Sequence, residues 1–160
     1  VESIRAEIGD DFPIILRFSQ WKQQDFESKL ALGPEELERF LTPLSEAGVD
    51  IFHCSTRKFW EAEFPGSEMN LAGWVKQITG KPTISVGSVG LTEEFIATSQ
   101  EGLAEVADIS ELTQRMEADE FDLIAVGRAL IANPDWAEKI RTGDTDSLKT
   151  YNKELLTELF

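Results

Sequence analysis

A glycine and an arginine directly follow a short apolar run in the last third of the chain. The run covers residues 121–126, FDLIAV, and is followed by Gly127 and Arg128. Glycine allows the backbone to approach a ligand closely, and arginine offers a forked cation. Backbone amides and a guanidinium at the carboxyl end of a strand suit a phosphate group. The pattern predicts a phosphate site, and a plain βα turn with a surface arginine is the alternative.

The charge balance restricts where such a site can be. The chain has 30 acidic and 15 basic residues, which gives a net charge of −15. Nucleic-acid binders usually carry a basic stripe, so this balance disfavours that class. Because an acidic surface repels phosphate, the site must be a local concentration of cations and backbone amides. Arg17 and Arg128 are the predicted cations.

The elements that must position these residues repeat four times. Each repeat is an apolar run of strand length followed by a segment with helical spacing, and 33 to 39 residues separate successive strand starts, which suits parallel βα units. The predicted strands are Pro13–Ser19, Val49–Ser55, Pro82–Gly87 and Phe121–Gly127.

Helix signals follow each strand. The predicted starts are Gly33-Pro34, Asn70, the alternative caps Asp108 and Ser110, and Asp135. The tail Leu148–Phe160 has apolar spacing that predicts packing on the last helix. Two long loops, Gln20–Leu32 and Thr56–Glu68, follow the first two strands. Their aromatic residues suit either a substrate pocket or loop packing.

Three segments together resemble a known family. PIILRFS near the start, PTISVGSVG in the middle and AVGRALIANPDW further on resemble the old yellow enzyme family of FMN-dependent NAD(P)H:flavin oxidoreductases. The resemblance runs from about Ile4 to the C-terminus without a large gap. It implies a TIM-barrel fold, of which residues 1–160 form a single partial domain with barrel strands five to eight. A complete barrel takes about 250 residues, so the chain is expected to be the C-terminal half.

The resemblance also assigns site residues. It implies that Arg17 contacts the pyrimidine edge of FMN, and that the backbone amides of Val89 and Gly90 hold its phosphate. Gly127 and Arg128 would complete this phosphate cradle. NAD(P)H is the implied reductant, and an activated alkene the implied hydride acceptor.

Residues for the complete reaction are not identified in these 160 residues. The family's His-His or His-Asn pair and its proton-donating tyrosine have no matching motif, so no catalytic residue is assigned and the chain alone is expected to be inactive. His53 is interpreted as a satisfied core or loop-facing residue and Cys54 as a small buried hydrophobic residue rather than a redox thiol. Tyr151 receives no role. No metal site is predicted.

Other interpretations remain open at this stage. Four βα units could form an open parallel sheet with helices on both faces. They could also form a non-catalytic half-barrel that homodimerises, or a fragment of another phosphate-binding barrel. One cysteine excludes an internal disulfide, and no apolar run approaches the roughly 18–20 residues that span a bilayer. We therefore expect a cytoplasmic protein without nucleic-acid or membrane partners, whose partner is a second copy or a missing N-terminal half.

Overall fold

A four-stranded parallel sheet is the central element of the computed structural model, which describes residues 1–22, 24, 25, 27–94, 98 and 102–158. The strands are β1 Ile15–Ser19, β2 Ile51–Ser55, β3 Thr83–Val86, β4 Leu103–Ala104, β5 Leu123–Ala125 and β6 Tyr151–Asn152. The spatial order in the parallel sheet is β1-β2-β3-β5, and every neighbouring pair is parallel. A short antiparallel pair of strands, β4 and β6, lies outside this sheet.

The helices alternate with the strands of the parallel sheet. They are α1 Glu2–Ile8, α2 Pro34–Glu46, α3 Leu71–Thr79, α4 Ser110–Glu117, α5 Arg128–Ala132 and α6 Trp136–Thr142, followed by 3-10 turns at Thr145–Ser147 and Lys153–Glu158. Within the described residues, no helix is long and apolar enough to cross a membrane.

Local sequence explains the limits of the two central helices. Pro34 occupies the first turn of α2, where its missing N–H has no partner to lose. The side chain of Asn70 accepts a hydrogen bond from the Gly73 amide and so caps α3. Gly80 ends α3 in a left-handed conformation, φ 65°, which glycine adopts without steric cost.

Three boundary predictions need correction. Asp135 precedes α6, but its side chain makes no cap hydrogen bond and instead pairs with Lys139 at 3.1 Å. Neither Asp108 nor Ser110 is the cap of α4: the N-cap position is Ile109, without a side-chain cap hydrogen bond, and the Asp108 carboxylate accepts from the Ser110 amide at 2.8 Å. The tail forms β6 and contacts α5 rather than packing mainly on the last helix. Leu159 and Phe160 lie outside the described residues.

The two faces of the sheet differ in burial. Phe52 and Cys54 of β2 point to the face covered by helices and are fully buried. The opposite face leaves Ile15 and Leu123 about half exposed, at 52% and 51%. A doubly wound sheet would cover both faces. Within the described residues, the structure therefore has the predicted half-barrel arrangement, and the face that carries Ile15 and Leu123, the concave face, is not covered by helices.

Candidate phosphate and cofactor site

A cavity of about 290 Å³ opens at the carboxyl ends of the parallel strands. This is the end at which barrel proteins carry their active sites. The cavity brings together residues that follow all four strands of the sheet. Its lining comprises Arg17, Trp21, Ser55, Thr56, Arg57, Val86, Gly87, Ser88, Val89, Leu91, Glu94, Ala125, Gly127 and Arg128.

The turn after β3 is held tightly against the loop after β2. Gly87 has φ 145°, and a Cβ atom at this position would come within 2.9 Å of backbone atoms of Thr56, Arg57 and Lys58. No other residue type fits there without moving a backbone segment. The Ser88 hydroxyl donates to the carbonyl oxygens of Arg57 at 3.0 Å and of Glu93 at 3.2 Å.

The same turn presents backbone amides without protein acceptors. Leu91 N–H donates to Ser88 O at 3.1 Å and closes the turn. Within the described part of the chain, the amides of Val89 and Gly90 donate to no protein oxygen. Val89 lines the cavity, and the neighbouring Gly90 lies against the indole of Trp136. Buried amides normally have partners, so these two suit an anionic ligand.

Gly127 and Arg128, which follow β5, also line the cavity. A Cβ atom on Gly127 would meet no atom within 4 Å, so this backbone borders open space. The Arg128 guanidinium donates to Glu93 O at 2.7 Å, to Glu94 O at 3.3 Å and to the Thr98 hydroxyl. Arg128 therefore lines the cavity, as predicted, and also binds the segment that follows the turn at residues 88–91.

The Arg128 side chain is partly buried and lies against an aromatic ring. Its guanidinium carbon lies 5.9 Å from the ring centroid of Tyr151, within the range of a cation–π contact. Burial lowers the pKa of the Arg128 guanidinium, and nearby Tyr151, Glu94 and Glu93 oppose this shift. The guanidinium remains charged at neutral pH, because arginine does not lose its proton in proteins at this pH.

Arg17 lies at the other end of the cavity. It is on β1 in register with His53 of β2, and its guanidinium donates to the Ser55 hydroxyl at 3.1 Å. Burial, with a smaller contribution from the charge of Arg17, lowers the pKa of His53. Arg17 is therefore the cation of this pair at neutral pH. The Nε2 atom of His53 is buried and has no hydrogen-bond partner among the described residues.

The sequence pattern does not single out two charged residues of the cavity. Arg57 follows β2 by two residues, and its Nε lies 3.5 Å from a carboxylate oxygen of Glu94. The available signal was the position of Arg57 immediately beyond a predicted strand, on the side where barrels bind ligands. With Arg17 and Arg128, the lining contains three arginines and one glutamate. This is the local positive focus that a protein of charge −15 needs to bind phosphate.

The donor set fits FMN in two respects. Unpartnered amides at Val89 and Gly90 and the backbone beside Gly127 suit the phosphate, which accepts several hydrogen bonds. Arg17 stands apart from these groups and suits the electron-rich pyrimidine edge. Cys54 does not contribute, because it is fully buried on the helix-covered face, where burial raises the pKa of its thiol.

Comparison with known proteins gives similar sequences and similar structures. No protein-family model matches the chain. An NADH oxidase from Thermoanaerobacter brockii is 27% identical over 157 residues, which cover 93% of this chain and 21% of that protein. Morphinone reductase in complex with tetrahydroNAD superposes with a TM-score of 0.60 and 17% identity, over 92% of this chain and 33% of that one.

The old yellow enzyme from Trypanosoma cruzi gives a TM-score of 0.57 at 19% identity, over 89% of this chain and 31% of that one. The chain thus spans about a fifth of its sequence relative and about a third of the solved structures it matches.

Fold and site together define the class as a TIM-barrel fragment with a cationic cavity at the carboxyl ends of its strands. The comparisons confirm the predicted resemblance to the old yellow enzyme family, in keeping with a fragment from the C-terminal region of such a barrel. The similar proteins are oxidoreductases by name.

Proposed function

We propose that these 160 residues are the FMN-phosphate-binding half of an FMN-dependent NAD(P)H oxidoreductase of the ene-reductase type. The supporting observation is a cavity lined by Val89, Gly127 and Arg128, beside a turn whose Val89 and Gly90 amides have no acceptor among the described residues. In this assignment the four parallel strands are barrel strands five to eight. Bound FMN would supply hydride transfer between NAD(P)H and an activated alkene.

Each residue of the site has a separate task in this proposal. The amides of Val89 and Gly90 bind the phosphate, and Gly127 allows it to approach the backbone. Arg17, oriented by Ser55, places positive charge at the pyrimidine edge and stabilises negative charge there. The neutral state of His53 keeps a second cation from competing for that position.

Titration of the purified chain with FMN, with riboflavin as the matched ligand, tests the proposal. We expect saturable FMN binding that is at least about tenfold tighter than riboflavin binding, since charge-assisted hydrogen bonds to phosphate are strong. Gly127→Ala should weaken FMN binding, because its methyl group enters the open space beside the turn. Equal binding of FMN and inorganic phosphate would instead indicate a different phosphate-binding barrel. No FMN binding by folded protein would overturn the proposal.

Turnover by the 160-residue chain should be small. Its only histidine is His53, a half-buried residue of β2. His53 does not match the paired His-His or His-Asn motif that anchors the substrate in the family. Robust enone reduction by the purified chain would contradict this expectation.

The uncovered concave face supports a second proposal, a half-barrel that associates with another copy or with a separate N-terminal half. Ile15 and Leu123 are about half exposed on this face, and β1 and β5 are the edge strands of the sheet. Association would bury both features. Light scattering should then give about twice the 17.9 kDa mass of one chain for a homodimer. A monodisperse monomer at micromolar concentration would argue against self-association.

A further inference from the structure

Tyr151 lies where three distant segments meet. It belongs to β6, which pairs with β4 through Ala104↔Tyr151 and Leu103↔Asn152. Only 4% of Tyr151 is exposed, and its ring faces the Arg128 guanidinium at 5.9 Å. A buried aromatic face beside a partly desolvated guanidinium gives a stronger cation–π contact than an exposed pair.

The Arg128 guanidinium that this ring contacts is also hydrogen-bonded to the segment that follows the turn at residues 88–91. Arg128 donates to the carbonyl oxygens of Glu93 and Glu94. The Ser88 hydroxyl donates to the same Glu93 carbonyl at 3.2 Å, so the contacts continue from the guanidinium into the turn at residues 88–91.

Asn133 determines where the ring lies. Its amide group donates to Lys149 O at 2.9 Å, and its side-chain oxygen accepts from Lys149 N at 2.8 Å. Asn133 is itself 2% exposed and lies one residue beyond α5, the helix that Arg128 begins. These two hydrogen bonds attach the C-terminal tail to the end of α5 at Lys149, two residues before Tyr151. Because Arg128 begins the same helix, they restrict the distance between its guanidinium and the Tyr151 ring.

We propose that Tyr151 is a positioning residue for the phosphate-binding turn, acting through Arg128. The ring fixes the guanidinium, the guanidinium fixes the carbonyl oxygens of Glu93 and Glu94, and these keep the amides of Val89 and Gly90 directed at the anion. The role of the anion site rests on the proposed function, whereas the order of the turn does not.

Hydrogen exchange on the ligand-free chain tests the structural step. In Tyr151→Leu and Tyr151→Met, which lack an aromatic face, the hydrogen-bonded amides of the segment 87–94, those of Leu91 and Thr92, should exchange about tenfold faster. Tyr151→Phe keeps the face and should exchange like the wild type. Leu41→Ala, a destabilising change in α2, should not accelerate this segment selectively. Unchanged exchange in both ringless variants, or acceleration spread evenly over the chain, would overturn the inference.

Ligand binding tests the functional step. The ringless variants should bind FMN about tenfold more weakly while riboflavin binding changes little, and Tyr151→Phe should restore FMN affinity. Equal losses for both flavins would overturn the role in anion binding. If the wild type binds no FMN, the proposed function fails, but the exchange measurement still decides whether Tyr151 orders the turn.

Discussion

Asp50 and Asp122 occupy equivalent positions in the second and fourth repeats of the fold. Each immediately precedes a strand, Asp50 before β2 and Asp122 before β5. The Asp50 carboxylate accepts a hydrogen bond from the Ile14 amide (2.7 Å), one residue before β1. The Asp122 carboxylate accepts one from the Thr83 amide (2.8 Å), at the start of β3. Each also pairs with a cation from an earlier helix, Arg5 for Asp50 and Lys76 for Asp122. The same carboxylate-to-amide hydrogen bond thus joins the amino ends of β1 and β2, and those of β3 and β5.

Acid should weaken both of these contacts. For Asp50, the Ile14 amide and then Arg5 lower the carboxyl pKa. For Asp122, burial alone would raise the pKa, but Thr83 and Lys76 outweigh it and the net shift is downward. A lowered folded-state pKa contributes stability above the unfolded value of 3.8, which is lost as pH falls through the folded value.

We therefore expect Asp50→Asn and Asp122→Asn to lower the urea midpoint at pH 7, and to lower it less at pH 3. Asp10→Asn, a change at an exposed carboxylate, is the matched control and should leave the midpoint nearly unchanged. A difference that stays constant from pH 7 to pH 3 would contradict the assignment.

Leu41→Ala should destabilise the chain by about 2–5 kcal/mol, because it leaves a cavity at a fully buried position of α2. Leu32→Ala is the control, since this side chain is 76% exposed and should change stability by less than about 0.5 kcal/mol. Urea denaturation measures both. Similar effects from the two substitutions would mean that α2 does not pack on the sheet as described.

Asn70→Ala should cost about 1–3 kcal/mol, because it removes the cap of α3 and a buried hydrogen bond to Phe59 O. Asn70→Ser retains a cap acceptor for Gly73 but cannot donate the same amide hydrogen bond. Its stability should fall between those of the wild type and the alanine variant. Equal losses in Ser and Ala would show that the cap contributes little here.

Cys54 should resist thiol reagents at neutral pH. It is fully buried, and burial raises the pKa of its thiol, so little thiolate is present and the reagent has no access. Ellman's reagent should react only as urea unfolds the chain, and its signal is unambiguous because the chain has one cysteine. Rapid labelling of folded protein would place Cys54 in a mobile part of the sheet.

The strands and main helices could be predicted because their signals are local. Apolar runs of strand length separated by helical spacing placed all four parallel strands within a few residues of their observed positions. The caps at Asn70 and Gly80 also act through bonds within their own helix. Such features depend on neighbouring residues, which a single sequence displays directly.

The missed features depend on distant partners. Helix α1 has no buried residue, and Arg5 attaches it by contacts to Gly48 O and Asp50. Strands β4 and β6 contain two residues each and exist only because residues 103 and 152 meet. Likewise, nothing near Arg128 in the sequence indicates that Glu93, Thr98 and Tyr151 surround its side chain.

The contact between Gly87 and the backbone of residues 56–58 has a consequence for divergence and for loop engineering. Two loops that are about thirty residues apart in the sequence cannot change length or path independently where they touch, since only a hydrogen atom separates their main chains. Insertions that alter ligand choice would have to fall after Lys58, in the outer part of the loop that ends near Met69. At this end of the sheet, the backbone around Gly87 and residues 56–58 is therefore constrained, whereas the outer part of the loop after Lys58 can change in length.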